Sequence, residues 1–252
     1  MPSVNAVIHA LSNAIADFRQ PRILALALLP PLAALAVWAG LAWFFAEDWA
    51  HSVTAWIANH SWLSWVRDWG LSSVFVWASG IGVIALTLPV ALIAAVLVTD
   101  IFAMPVIVPF VAERNYPRLE RRKGGTMAGS LWNAVVAIVV FLSLWVVSLP
   151  LWFTGIGAIL LPPLLSAYFN ERMFRYDALA DHADPGEYRA ILSDAGGRLY
   201  LLGLLLAALL WVPFVNLAVP VLSALAFTHL ALAELERLRR VTITGDEIRV
   251  TR

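Results

Sequence analysis

Residues 124–170 run for 47 positions without a charge, yet helix breakers sit near the middle: Pro150, Gly155, Gly157 and the pair Pro162-Pro163. Soluble domains carry about 25% charged residues, so an uncharged stretch of this length selects a lipid bilayer as its solvent. One crossing needs about 20 apolar residues, and two crossings joined by a turn need roughly 44. The mostly apolar part, Leu131–Phe169, has 39. It is too long for one crossing and short for two, so the chain is expected to turn back within the membrane, at the Gly155-Ile156-Gly157 tip.

Three more uncharged runs accompany it: Ile23–Ala46 (24 residues), Leu71–Thr99 (29) and Leu199–Ala233 (35). The first two fit single spans, the second with a kink at Pro89. The last has the same defect as 131–169. Its breaker segment WVPFVN (211–216) leaves legs of 12 and 17 residues, neither reaching the ~30 Å thickness of the hydrocarbon core. The first run is too long for the apolar core of a signal peptide, about 7–15 residues, and reads as an uncleaved anchor.

Flanking charge orients these runs. Arginines precede the first run, cluster at 114–123 after the second, separate the third from the fourth and close the chain. Only Arg67 lies between the first two runs, among Glu47, Asp48 and Asp68. The positive-inside rule therefore puts everything except the 47–70 loop on the cytoplasmic side, both termini included. That loop holds five of the twelve tryptophans, as expected of a segment on the outer headgroup layer. An aromatic cage for a cationic ligand is the alternative. The 17 basic and 17 acidic residues balance, which leaves no global field to draw nucleic acid. Cysteine is absent, which removes disulfides, thiolate chemistry and Cys-ligated metals.

The fold class that results is an all-α integral membrane protein. It has two long transmembrane helices (about 23–46 and 71–99), two re-entrant hairpins (about 131–169 and 199–233) and interfacial amphipathic helices. Residues 1–240 form a single membrane domain and 241–252 a cytoplasmic tail. Val4, Val7, Ile8, Leu11, Ile15 and Phe18 recur at helical spacing, so an N-terminal helix is expected to lie on the cytoplasmic leaflet. Residues 184–198 predict a short helix that starts at Asp184-Pro185 and ends at Gly196-Gly197. VTITGDEIRV (241–250) alternates around Gly245-Asp246 like a small hairpin or a loose tail.

Catalytic signatures are missing: no Walker loop, HExxH, GxSxG or GxGxxG. No enzyme, cofactor or resident metal is expected. Asp177, Asp181, His182 and Asp184 could hold a divalent ion, but a solvated helix end and loop explains them more simply. His229 fits a hydrogen-bonded packing residue better than a proton relay. The apolar runs contain no Asp, Glu, Lys or Arg, whereas ion-coupled pumps place such groups within their spans. A passive pathway or a purely architectural role is left. The second leg of each hairpin begins inside the bilayer, where helix N-termini offer free N–H groups and a positive dipole end. Gly155, Gly157 and Asn216 are therefore candidate backbone donors to an anion, with a merely tight turn as the alternative.

QPRILALALLPPL (20–32), FAMPVIVPFVAER (102–114), LPLWFTGIGAILLPPLLSAYFNERMFRYDALADH (149–182) and GLLLAALLWVPFVNLAVPVLSALAF (203–227) together resemble the CysZ-type sulfate permeases, grouped with the etoposide-induced-protein-2.4 membrane proteins. The resemblance implies two long spanning helices with two hemi-penetrating hairpins, a homo-oligomer in the bacterial inner membrane, and passage of sulfate or another small anion without an energy-coupling module. It points to Arg22 as the ligand at the mouth and to Glu113 and Arg114 as a cytoplasmic gate. Where the family's sulfate permeases carry two adjacent arginines, this chain has Leu24 and Ala25. The other reading is a non-transporting oligomeric scaffold in contact with membrane lipids.

Overall fold

A computed structural model describes residues 2–27, 44, 93–94, 96–212 and 215–250. Residues Met1–Leu28 and Leu92–Arg252 form one compact unit and Leu29–Ala91 a second. The described residues belong to the first unit, Phe44 apart. Most of the expected span 23–46, nearly all of 71–99, the tryptophan loop and the kink at Pro89 lie outside them. So do Pro213 and Phe214 of the second tip.

Among the described residues every regular element is helical. Helix α1 covers Pro2–Phe18 and α2 covers Met104–Asn115. Helices α3 (Met127–Trp152), α4 (Ile156–Ala180), α5 (Pro185–Leu209) and α6 (Val219–Val250) follow as an antiparallel set. A short helix, Val96–Phe102, precedes α2 at an angle of 58°. Pro105, in the first turn of α2, has no N–H to continue a helical ladder across that break.

α3 starts where Thr126 caps it, the hydroxyl accepting the Gly129 N–H at 3.0 Å. Its side chains are mostly apolar on all faces, but only Asn133, Ala137, Phe141, Trp145, Ser148 and Trp152 are buried, a single stripe at three- and four-residue spacing. Aromatic stacking secures that stripe. Phe169 of α4 meets Phe141 at 5.0 Å between centroids, Phe141 meets Trp145 at 5.4 Å, and Trp145 meets Trp152 at 5.0 Å. Val139, Val146, Val147 and Leu151 face outward. A helix that is apolar all round but buried on one side needs an apolar surrounding for the rest.

The turn after α3 falls at the predicted tip. Gly155 has φ of 74°, a left-handed conformation that a side chain resists. A Cβ on Gly157 would lie 2.0 Å from the Leu151 carbonyl oxygen, so only glycine lets α4 start this close to the end of α3. The prolines behave differently from the breaker reading. Pro150 sits in the last turn of α3, and Pro162 and Pro163 lie inside α4 without ending it. The legs are also longer than the uncharged run suggests. α3 and α4 have 26 and 25 residues, because the polar continuations 127–130 and 170–180 stay helical.

α5 begins as expected. Asp184 accepts the N–H groups of Gly186 (2.8 Å) and Glu187 (2.9 Å), and Glu187 accepts the Asp184 N–H at 3.0 Å, a reciprocal cap. It does not stop at Gly196-Gly197 but runs to Leu209. Each internal glycine costs about 1 kcal/mol, and the burial of Leu199, Leu202 and Leu206 offsets that. Gly203 packs against α4 so closely that a Cβ would come within 2.8 Å of the Ala167 carbonyl oxygen.

α6 occupies the centre and packs against α1, α2, α4 and α5. Ala224 to Phe227, Leu230 to Leu232 and Leu235 are fully buried. The helix continues through Val250, so 241–250 is not a hairpin. Extending an existing helix needs no new nucleus, whereas an isolated two-stranded hairpin is marginal in water. α1 also departs from the expected pattern. Val7, Ala10, Ala14 and Asp17 are the buried positions, while Val4, Ile8 and Ile15 stay exposed. Its small residues pack on protein and its large ones point away.

Candidate functional site: a charged end and two apolar tips

The antiparallel order of α3–α6 separates two chemistries. The turn at 153–155 and the described residues of the second tip, 210–212 and 215–218, share one end and are almost wholly apolar. At the other end the loop 116–126, the α4–α5 turn and the adjoining parts of α4, α5 and α6 carry most of the charge. Cross-links between helices occur there. The Ser130 hydroxyl donates to Asp177 at 2.7 Å, and the Asn133 amide to the Arg172 carbonyl at 3.1 Å.

Two glutamates, Glu234 buried and Glu187 half-buried, organise the charged end. Glu234 of α6 lies between Arg198 (3.1 Å) and Arg237 (2.8 Å). Glu187 of α5 lies between Arg122 and Arg239, both at 2.8 Å. Arg239 also donates to the carbonyls of Glu120 (2.9 Å) and His182 (2.7 Å), which ties loop, turn and helix together. Such charge-assisted bonds are about twice as strong as neutral ones. Burial lowers the His182 pKa from its ordinary value, and Arg121 adds to the effect. Hydrogen bonds from the Glu187 and Gly186 amides hold the Asp184 carboxyl below the usual carboxylate range.

A third cluster fixes α1. Asp17 meets His229 of α6 at 3.0 Å, both buried, and Arg114 at 3.6 Å. The Tyr116 hydroxyl donates to the His229 carbonyl at 3.1 Å. Burial, with a smaller contribution from Glu236, pushes the Tyr116 pKa to about 12.

The predicted site residues do not form one constellation. Arg22 is exposed and makes no ion pair with a described residue. Glu113 and Arg114, adjacent at the end of α2, pair separately, Glu113 with Arg121 (3.6 Å) and Arg114 with Asp17. Gly155, Gly157 and Asn216 sit in the tips, but their N–H groups are already engaged. Gly155 donates to the Trp152 carbonyl (3.2 Å), Gly157 to the Thr154 hydroxyl (3.1 Å) and Asn216 to the Val212 carbonyl (3.1 Å). In this structure their backbone amides are engaged within the turns. Asp177, Asp181, His182 and Asp184 do not converge either. Asp177 accepts from Ser130, Asp184 caps α5, and no group of three such residues able to hold a metal occurs among the described residues.

Sequence reasoning missed a cavity of about 850 Å³ at the charged end, between the loop 118–122, the first turns of α5 and residues 236–242 of α6. The arginine-rich loop was visible in the sequence, but its partners lie more than 60 positions away, and no local signal joins them.

The charge segregation, together with α3, α5 and the 219–242 part of α6, each long and apolar enough to cross a membrane, indicates an integral membrane protein. Searches among curated proteins and among solved structures each found no match. A family model described as sulfate transporter CysZ/etoposide-induced protein 2.4 matches residues 10–220. The chain belongs to the CysZ/etoposide-induced protein 2.4 family of transporter-like membrane proteins.

Proposed function

We propose that the chain is a permease for sulfate or a similar small anion that works without ion coupling, as a homo-oligomer in a bacterial inner membrane with both termini cytoplasmic. The observation that carries this reading is the lack of any charge along the apolar lengths of α3–α6, combined with arginines gathered at one end. A carrier driven by protons or sodium needs a titrating or cation-binding group inside the membrane. An anion path needs cationic groups at its mouth and can do without charge beyond it. The two hairpins enter from the charged face and turn at Gly155 and near Asn216. Arg22 is the first ligand, the Asn216 side chain offers an amide at the tip, and Glu113 and Arg114 regulate access at the cytoplasmic side.

A second reading, an oligomeric scaffold, is favoured by one observation. Around α6, Ala224 to Phe227 and Leu230 to Leu232 are fully buried, and the polar side chains among them, Thr228 and His229, are engaged by the Ala224 carbonyl and Asp17. In the permease reading the path therefore runs between protomers. The test is uptake of labelled sulfate into proteoliposomes by the intact protein and by Arg22→Ala. Saturable uptake that the substitution reduces about tenfold, as loss of a charged hydrogen-bond donor would, supports the permease. Uptake equal to empty vesicles, by folded protein, leaves the scaffold.

A further inference from the structure

The cavity at the charged end is larger than an inorganic oxyanion requires. At about 850 Å³ it falls in the range that holds organic ligands, roughly 300–1,000 Å³. Its lining mixes guanidinium groups with apolar surface from Leu119, Ala190 and Leu238.

The charges there are not equivalent. Arg239 commits its Nε, Nη1 and Nη2 groups to Glu187, the Glu120 carbonyl and the His182 carbonyl. Glu187 is shared by Arg239 and Arg122, so it presents little uncompensated negative charge. Arg240 pairs with Glu236 at 2.8 Å. Arg122 uses only Nη1 in its bonds to Asp184 (3.2 Å) and Glu187 (2.8 Å). Arg118 lines the same cavity and forms no ion pair among the described residues. The Glu120 carboxylate also lines the cavity and forms no ion pair among the described residues, so four arginines face three glutamates and one positive charge is left over, with donors free on Arg118 and Arg122.

The cavity's framework is fixed before any ligand arrives. The N–H groups of Lys123, Gly124 and Gly125 donate to the carbonyls of Asp181 (3.0 Å), Ala183 (3.1 Å) and Ala180 (2.8 Å), which zips the loop to the α4–α5 turn. Gly124 lies so close that a Cβ would come 2.2 Å from the Ala183 carbonyl oxygen. Rigid walls lower the ordering cost of binding.

We infer that this cavity binds a phosphate or sulfate ester, its charged group held by Arg118 and Arg122 and its organic body lying on Leu119, Ala190 and Leu238. Guanidinium forks suit tetrahedral oxyanions. The ester comes either from a soluble metabolite or from a phospholipid headgroup at the membrane surface. The site is separate from Arg22 and does not depend on transport.

The test is calorimetric titration of the protein in phosphatidylcholine nanodiscs with phenyl phosphate and with inorganic phosphate. A parallel arm uses discs containing phosphatidylglycerol, with retained lipid counted by native mass spectrometry. Phenyl phosphate should bind saturably, about tenfold tighter than inorganic phosphate, and Arg118→Gln should weaken it about tenfold, the usual scale for one charged donor. Arg19→Gln should leave it unchanged. Because Arg118 is exposed and unpaired, its substitution should not disturb folding, which an unchanged melting temperature verifies. Retention of phosphatidylglycerol by the intact protein but not by Arg118→Gln, with displacement of phenyl phosphate, assigns the ester to lipid. Equal affinity for both phosphates overturns the organic ligand. Absence of phenyl phosphate binding together with no Arg118-dependent lipid retention overturns the site. None of these readouts measures flux, so failure of sulfate uptake and failure of this site are distinguishable.

Discussion

At the scale of single residues, two glycines make the first hairpin possible for different reasons. Gly155 supplies a left-handed φ of 74°, with open space around its Cα. Alanine there should cost about 1 kcal/mol, the strain of that backbone region. Gly157 has an ordinary backbone, but its Cβ direction is filled by the Leu151 carbonyl. Gly157→Ala should cost more, about 1–3 kcal/mol, because the helices must move apart. Thermal unfolding of the two variants in one detergent checks the order, and a larger loss for Gly155→Ala would contradict this account. His182 makes a pH prediction. Its folded-state pKa lies below the ordinary 6.5, so the unfolded chain takes up the proton first as pH falls. Stability should be full above 6.5 and decline below it toward the lowered value, well before Asp184 responds in the acid range. A melting temperature flat from neutral to mildly acidic pH would contradict the assignment. The sequence showed these residues unequally. The glycine tip and the Asp184 cap are local patterns. The engaged N–H groups at the tips could not be foreseen, because whether a donor is free depends on the fine geometry of the turn.

At the scale of elements, the charge pattern located the helices better than the breakers limited them. Runs without charge marked α3–α6, but neither Pro162-Pro163 nor Gly196-Gly197 ends a helix. Breaker rules describe local cost, and a kcal/mol or two is recovered when the next turns bury Leu199, Leu202 and Leu206. Residues 241–250 went the same way, since continuing α6 is easier than closing a two-stranded hairpin. For α1 the apolar periodicity was real, but the contact used the smaller residues Val7, Ala10 and Ala14. Close approach of helices favours small side chains, as at Gly203 against Ala167. Gly203→Leu should separate α4 from α5 and lower stability by about 1–3 kcal/mol. Unfolding of this variant alongside the outward Leu205→Ala checks it, and equal effects would show that the contact is not tight.

At the scale of the whole molecule, the charged end and the apolar tips divide the work. Paired arginines and glutamates hold the helices in register at one end, and the bilayer completes the burial of α3, whose Val146, Val147 and Leu151 face outward. The membrane class was legible because a bilayer imposes it on composition. The cavity at Arg118 was not, since three distant segments build it. The absence of charge along the apolar lengths of α3–α6 is what makes an uncoupled anion path the central claim. The most direct measurement is initial-rate uptake of labelled sulfate into proteoliposomes, with and without ionophores that collapse proton and sodium gradients. The account predicts saturable uptake that follows the sulfate gradient and does not change when the proton and sodium gradients are collapsed under clamped membrane potential. Uptake that stops when either gradient is removed, or that never exceeds empty vesicles, would contradict it.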